Sequence, residues 1–558
     1  MEKLALLDYV SIILYLLIMA GVGLFFGWFV KDIKGYFKGD NTIPWTISAI
    51  SNFMGSLSTF VFVAYAGIAY TDGIVGVTVL WCTVGPFIFA ALVMGKRWIR
   101  SRIITPIEYL ETRFNNKIRQ LFGWIGLGMR FLDNMVRQYA MGVFLMAATD
   151  LSFVEAVVFS GIITTLFTIV GGVWAVIVMD TLQFIILLFV SVLLVPLSLE
   201  ATGGLAVLME NLPEHFEWFN GAKGQPLWLF VYYLMVLLKY NGNWVFIQRF
   251  YSVKDEKATK KLGFMSAILM FVFPIVFLLP AIAAADILPN LADPEQAYVA
   301  VAVYLLPAGL LGLMIAAMFS ATMSSLNSEF NVMSAVLTND IYKRLINPKA
   351  SDKRLIFVAR LNIVMVGAIV VFGSLFIGKL GGAFEANKIL TGLFAIPLSI
   401  PLVLGMLFKK TNSVGAFFSV LTGIFSGLYF NIWASLSWEV ATLTQIVLCT
   451  TVFFISGQLL PSKKEYEMRV NNFFYKINTP LTIDEIEHPD PKFRKALGTI
   501  FSIAVALSGI LFISMGYHSI HVSSGKIAVI IGVVCVLFSL LLKMYLFKVE
   551  EGKNSLKL

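Results

Sequence analysis

The chain has 558 residues, 58% of them hydrophobic and only 13% charged, with a mean hydropathy of +0.84. That charged share is about half of a soluble domain's, which excludes an ordinary soluble fold. A net charge of +9 would suggest nucleic acid, but the basic residues cluster in alternate short loops, as in a membrane protein oriented by its positive inside.

Apolar runs of bilayer-spanning length, about 20 residues, recur along the whole chain, continuous rather than alternating, which excludes a β-barrel. The first, 9–30, lacks a basic leader and a cleavage site and is read as a span. Others follow at 44–70, 74–96, 120–148, 152–170, 173–199, 226–248, 262–287, 296–339, 356–378, 385–408, 413–435, 438–460, 497–516 and 524–547, fifteen in all. The ninth is long enough to be a loop helix followed by a span. With the N-terminus outside, loops 31–43, 97–119, 171–172, 249–261, 340–355, 409–412, 461–496 and the tail lie inside and hold about thirty of the 42 Lys and Arg residues. The outside loop 200–225 carries Glu200, Glu210, Glu214 and Glu217 against Lys223 alone. Segment 461–496, with four prolines, reads as a solvated cytoplasmic linker too short to bury a core. Cys82, Cys449 and Cys535 lie in apolar runs without paired spacing and read as plain packing residues.

Two spans have polar, glycine-bearing centres: SNFMGSLSTF at 51–60 and KYNGNW at 239–244. They lie five spans apart. Interrupted segments at matching positions in two halves point to an inverted-repeat transporter, in which unwound carbonyls coordinate a cation and half-helix N-termini face an anion. Small-residue helix packing is the rival explanation for either segment alone. The stretch SATMSSLNSEF, 320–330, sets six hydroxyl or amide residues and a glutamate inside an oily run. Ser324 and Ser328 share a helix face with Ser325 beside it. Neutral hard oxygens suit an alkali cation that must bind and leave, with too few carboxylates for a divalent ion. Asp180, about 12 Å along its helix from Gly171-Gly172, is an ionisable group within a span and a functional candidate by default.

SSLNSEFNVMSAVLTNDIYKRL (324–345) resembles the signature helix of the sodium:solute symporter family, to which sodium/sugar, sodium/proline and sodium/sialic acid cotransporters belong. GGVWAVIVMDTLQ (171–183), IQRFYSVKDEKATK (247–260) and LGMLFKKTNSVGAF (404–417) are similar to further family elements, in the expected order. The resemblance implies an all-α polytopic membrane protein with the leucine-transporter-type fold. Its two inverted five-helix repeats would be 44–225, with the outside loop, and 226–412. Residues 1–43, 413–460 and 497–558 would be peripheral. It also implies a sodium site from the Ser324 and Ser325 hydroxyls and the Ala321 carbonyl, with the Met54 and Leu57 carbonyls from the broken span. A second sodium would use Asp180, Asn327 and Ser328, of which Asn327 departs from the serine found in members that have it.

Val61 and Leu80 stand where sugar-transporting members carry polar contacts, which argues against a sugar held that way. Cations stand nearby instead: Arg137, Lys239 and Lys388, the last where sugar binders carry Gln. An arginine fork suits a carboxylate. The expected solute is therefore a small anionic or zwitterionic carboxylate such as an acidic sugar, contacted by Arg137, Asn134, Lys239, Asn241, Lys388 and Ser58. Arg137 could instead pair with Asp133, and Lys388 with Glu385.

The expected activity is sodium-coupled import by alternating access, with Na+ as the co-transported ion, no organic cofactor and no enzymatic chemistry. The expected setting is a monomer in a bacterial inner membrane, without nucleic acid or ATP; no GxxxxGK[ST] occurs. Rivals are a sodium/neutral sugar symporter, a proton-coupled carrier, a channel and a membrane solute sensor. His215, His488, His518 and His521 lie in loops or at span ends, so no histidine relay crosses the bilayer. The tail, KVEEGKNSLKL, leaves no room for a fused signalling domain.

Overall fold

The computed structural model describes residues 4–27, 43–380, 383–434, 436–459, 464–486 and 491–554. Almost all of loop 31–43, and His488, fall outside them. The described chain is helical, with one isolated bridge, Ile43 to Val253. In order the helices are α1 (Leu6–Gly27), α2 (Trp45–Ser56), α3 (Val61–Asp72), α4 (Val75–Arg100), α5 (Asn116–Ala148), α6 (Phe153–Ala201), α7 (Pro226–Asn241), α8 (Trp244–Ser252) and α9 (Glu256–Ile287). There follow α10 (Ala297–Leu305), α11 (Leu310–Ile346), α12 (Asp352–Ser374), α13 (Ala383–Leu407), α14 (Ser413–Ile432), α15 (Trp438–Leu459), α16 (Lys464–Asn478), α17 (Pro491–His518) and α18 (Ser523–Asn554). Shorter turns lie between them.

Among the described residues nine helices are long and apolar enough to cross a membrane, ten if the bent pair α2 and α3 is one span. The expected fifteen are reached only by adding three shorter apolar helices and two elements, α5 and α7–α8, whose charged or broken centres weaken the composition signal.

Local chemistry sets many of the helix starts. Asn115, Asn243, Asp255, Ser351 and Asn412 each accept from backbone N–H groups of the following turn, and Ser152 with Glu155 forms a capping box. Helix α11 is capped from outside its own segment. Gly309 holds φ +87°, open to glycine at little cost, and its N–H and that of Gly312 both donate to Asp8 of α1 at 2.7 Å. The ninth expected span thus divides at this turn into α10 and α11, as its length suggested.

Segment α6 is helical over 49 residues. Its neighbours show two arms running in opposite directions. Gly161 and Thr165 meet Val371 and Gly367 near one end of α12, and Ile169 packs on the cluster of Ala335, Leu355, Ala359 and Ile363 towards the other. Asp180 then returns to Ser324 of α11, and Ser191 reaches Tyr298. The arms, Phe153–Ile169 and Val176–Ala201, match the two spans expected there.

Helix α11 is the axis of the bundle: every residue from Leu310 to Ala335 is buried. Its polar side chains therefore face other protein groups, since no water is there to satisfy them. Helices α1, α2, α5, α6, α8 and α12 surround it. The two interruptions meet beside it. Leu57 is extended (φ −94°, ψ 146°) between α2 and α3, which bend by 60°. Gly242 and extended Asn243 divide α7 from α8. A Cβ on Gly55 would lie 3.5 Å from Val245, and one on Gly242 2.5 Å from Ser399, so small residues let these backbones approach.

The basic loops gather at one end. Arg100 pairs with Glu256 at 2.7 Å, Arg119 with Glu111 and Asp340, and Arg102 with Glu485. Segment 461–496 is more engaged than a solvated linker: α16 buries Val470, Phe473 and Ile477, and Arg469 donates to the Phe114 carbonyl. Buried Arg113 ties the same region to α13 through the carbonyls of Gly405, Phe408 and Thr411. Arg102 holds the Glu485 carboxyl down at about 2.

Candidate functional site

Ser324 and Ser325 of α11 are completely buried. Thr59, just past the break, donates its N–H to the Thr322 hydroxyl at 2.8 Å, and the two hydroxyls also meet. This bond satisfies a donor that the break has freed. Ser325 donates to the Thr322 carbonyl at 2.9 Å, and the Met54 carbonyl accepts from Leu57 N–H at 3.0 Å. Ala321 lies on the same buried helix, one turn from Ser324 and Ser325. The break and α11 are thus joined through Thr59, which meets the Met318 carbonyl and the Thr322 hydroxyl, the latter within one turn of Ser324 and Ser325.

Asp180 adjoins this group. Its Oδ1 accepts from Ser324 at 2.6 Å and its Oδ2 from Ser51, while the Arg249 guanidinium lies 3.6 Å from Oδ2. Arg249 also donates to Ser51 at 2.8 Å, Gln248 at 2.9 Å and Ser328 at 2.7 Å. Both charges are buried. Asn327 accepts from Thr168 at 2.6 Å, and its amide nitrogen finds no hydrogen-bond partner. The three residues expected around a second sodium are therefore neighbours, but an internal cation already faces the carboxylate and one of the hydroxyls. Arg249, in the quoted IQRFYSVKDEK stretch, is the partner that sequence reading left without a role.

The second cluster lies on the other side of the break. Asp133 of α5 faces two cations, Arg137 at 3.1 Å and Lys239 at 3.7 Å. Arg137 also reaches the Gly55 carbonyl at the end of α2 at 3.5 Å. Lys239 donates to Thr391 at 2.9 Å and Asn387 at 3.3 Å. Three oxygens around one nitrogen match the three donors of an ammonium group. One turn before Asp133, Arg130 binds both oxygens of Glu329 at 2.7 and 2.8 Å beneath Trp244. This is the glutamate of SATMSSLNSEF.

Arg137 and Lys239 open on a cavity of about 60 Å³ whose wall includes Ser56, Ser58, Asn243 and Asn387. That is space for roughly two waters at about 30 Å³ each. Val61 and Leu80 line it too, as the apolar positions they were expected to be. Tyr65 and Tyr232 join hydroxyls at 2.8 Å along its wall. A second space of about 20 Å³ lies beyond Lys239, between Asp133, Arg130 and Trp244. A larger cavity, about 560 Å³ between α1, α6 and α11, is walled by Leu16, Phe159 and Phe319 and lies away from both breaks. Its size does not make it the solute site, because it has few polar groups with which to orient a solute.

Three expected solute contacts are corrected. Asn134 points to α11, donating to the Arg130 carbonyl and Met333 sulfur, because it sits one residue round the helix from Asp133. Asn241 closes the last turn of α7, bonded to the Leu237 carbonyl at 2.9 Å, and the cavity is lined by Asn243 instead. Lys388 pairs with Glu385 at 2.6 Å, one helical turn away, outside the cavity. Arg137, Lys239 and Ser58 do line it. Asn387 and Thr391 were missed; they lie one residue before and three residues after Lys388 and hold Lys239 from α13.

The profile of the sodium:solute symporter family matches residues 36–423. The sodium/glucose cotransporter of Vibrio parahaemolyticus is 26% identical over 465 residues, 75% of this chain and 84% of that protein. The sodium/sialic acid symporter of Aliivibrio fischeri is 25% identical over 451 residues, 76% of this chain and 87% of its own length. The substrate-bound, outward-open structure of a Na+-coupled sialic acid symporter superposes with a TM-score of 0.75 at 21% identity, covering 82% of this chain and 99% of that one. The fold is of the leucine-transporter type.

Proposed function

From membership of the sodium:solute symporter family, to which this chain belongs, we propose that this sodium-coupled symporter imports a small organic acid, an acidic sugar being the best fit. One observation carries the choice: the cavity beside the helix break holds Arg137 and Lys239, while the positions expected to hold a neutral sugar are Val61 and Leu80. A guanidinium fork with an ammonium beside it offers a carboxylate parallel, charge-assisted hydrogen bonds. The sialic acid symporter among the relatives handles such a sugar acid. The glucose cotransporter keeps a neutral sugar as the second reading.

Sodium in this reading binds Ser324, Ser325 and the carbonyls of Ala321, Met54 and Leu57. The ion draws the interrupted helix onto α11. Residues 54–58 then serve both sites, because Gly55 contacts Arg137 and Ser58 lines the cavity. Ordering that stretch once for two ligands gives positive coupling between them. Each inward sodium charge adds about 2.3 kcal/mol per 100 mV of membrane potential. The cavity must widen to admit a sugar acid, which is the opening step of alternating access.

The test is uptake of labelled N-acetylneuraminate into proteoliposomes with and without an inward sodium gradient, with glucose as competitor. Sodium-driven uptake that glucose does not inhibit is expected. Equal uptake without sodium, or uptake of glucose alone, would overturn the proposal.

A further inference from the structure

Buried charges inside the bundle meet opposite charges or helix ends. Arg249 faces Asp180, Arg130 takes both oxygens of Glu329, and Arg119 lies between Asp340 and the part-exposed Glu111. Asp8 is held by the N–H groups that begin α11, and Arg113 by carbonyls that end α13, each the favourable sign for a helix terminus. Beside the helix break and its cavity the balance tips to positive: Asp133 is a single carboxylate facing two cations, Arg137 and Lys239. With the Arg130–Glu329 pair beside it, the cluster holds three positive and two negative groups, an excess of one.

We infer that Asp133 is a specificity-determining residue: by cancelling one of the two cations it sets the cavity to accept a solute of charge −1, and to discriminate against a matched dianion or neutral molecule. This rests on the carboxylate reading above. The cavity lies within the bundle, where an uncompensated charge is costly. A monocarboxylate makes the five-residue cluster neutral, whereas a dianion leaves it at −1 and a neutral sugar at +1. Asp133 and Lys239 also line the 20 Å³ space. Asp133 competes with the solute carboxylate for the two cations, which keeps binding weak enough to reverse.

Three open-chain six-carbon compounds that differ mainly in charge make the test: glucitol, gluconate (−1) and glucarate (−2), titrated against the purified full-length protein in saturating sodium. Wild type is expected to bind gluconate at least 10-fold more tightly than either of the others. Asp133→Asn should move the preference at least 10-fold towards glucarate. Asp133→Asn combined with Lys239→Gln restores a single excess charge and should restore the gluconate preference, a rescue that a merely structural role would not give. Lys239→Gln alone, with no excess charge, should lose the preference for gluconate over glucitol, and it stands in if Asp133→Asn does not fold. Glucarate binding as well as gluconate in wild type, or an unchanged order in Asp133→Asn, would overturn the inference. Wild type binding neither acid would remove the carboxylate reading itself, and this inference with it.

Discussion

Two buried charge clusters flank the same interrupted helix, and they are built on opposite rules. Around Asp180 one carboxylate meets one guanidinium, and Ser51, Ser324, Ser328 and Gln248 take up their remaining polar atoms. None of the three cavities described above opens there. Around Asp133 the charges do not balance and two small spaces open on the excess cation. A balanced, closed cluster resists being opened, since removing one partner strands the other. An unbalanced cluster beside a cavity is incomplete until a ligand arrives. The contrast supports the proposal that the first cluster holds α2, α6, α8 and α11 together while the second serves solute.

The sharpest way to break this contrast is Arg249→Met. It strands Asp180, and a loss of roughly 3–5 kcal/mol is expected, read as a steep fall in thermal stability. Adding Asp180→Leu should recover most of it. Full stability in the single variant would show that the pair does not hold the fold. Arg137→Ala should act the other way, abolishing carboxylate uptake while melting closer to wild type than Arg249→Met does. Ser325→Ala removes one sodium oxygen and should raise the sodium concentration for half-maximal uptake about 10-fold, the equivalent of about 1.4 kcal/mol. Lys388→Ala, outside the cavity, should leave uptake and its charge selectivity unchanged, and stability within about 1 kcal/mol.

The smallest expected effect lies at the basic end. Arg102 depresses the Glu485 carboxyl to about 2. Its contribution is therefore complete above about pH 4.5, the ordinary value for that group, and is lost as pH falls from there towards 2. Hydrogen-exchange protection factors in residues 464–486, corrected for the intrinsic pH dependence of exchange, should fall across that acid window and stay flat between pH 5 and 8. A loss of protection already at pH 6 would mean that another group tethers the segment.

Much of the scaffold was legible before any coordinates. Gly and hydroxyl residues inside oily runs marked both breaks, because only backbone that pairs with protein partners tolerates them in lipid. The serine stretch marked the axis helix for the same reason. What stayed hidden was which faces meet. Arg249 and Asp180 are far apart in the chain, as are Glu329 and Arg130, and periodicity names a face without naming its partner. Single-residue offsets also decided roles. Asn241 belongs to the last turn of α7 and bonds backward, whereas Asn243 begins α8 and looks into the cavity. Lys388 had an acid one turn away on its own helix, and that local pairing won. Segment 461–496 read as a solvated linker too short to bury a core of its own, yet three apolar residues at helical spacing, Val470, Phe473 and Ile477, were enough to seat it against the bundle.

The coupling of ion to solute through residues 54–58 is tested most directly by equilibrium binding of N-acetylneuraminate to the purified protein without sodium and at saturating sodium. Sodium is expected to lower the Kd by a factor of about 5–150, and saturating solute to lower the sodium Kd by the same factor. An identical solute Kd in the two conditions would contradict a shared, ion-ordered helix break.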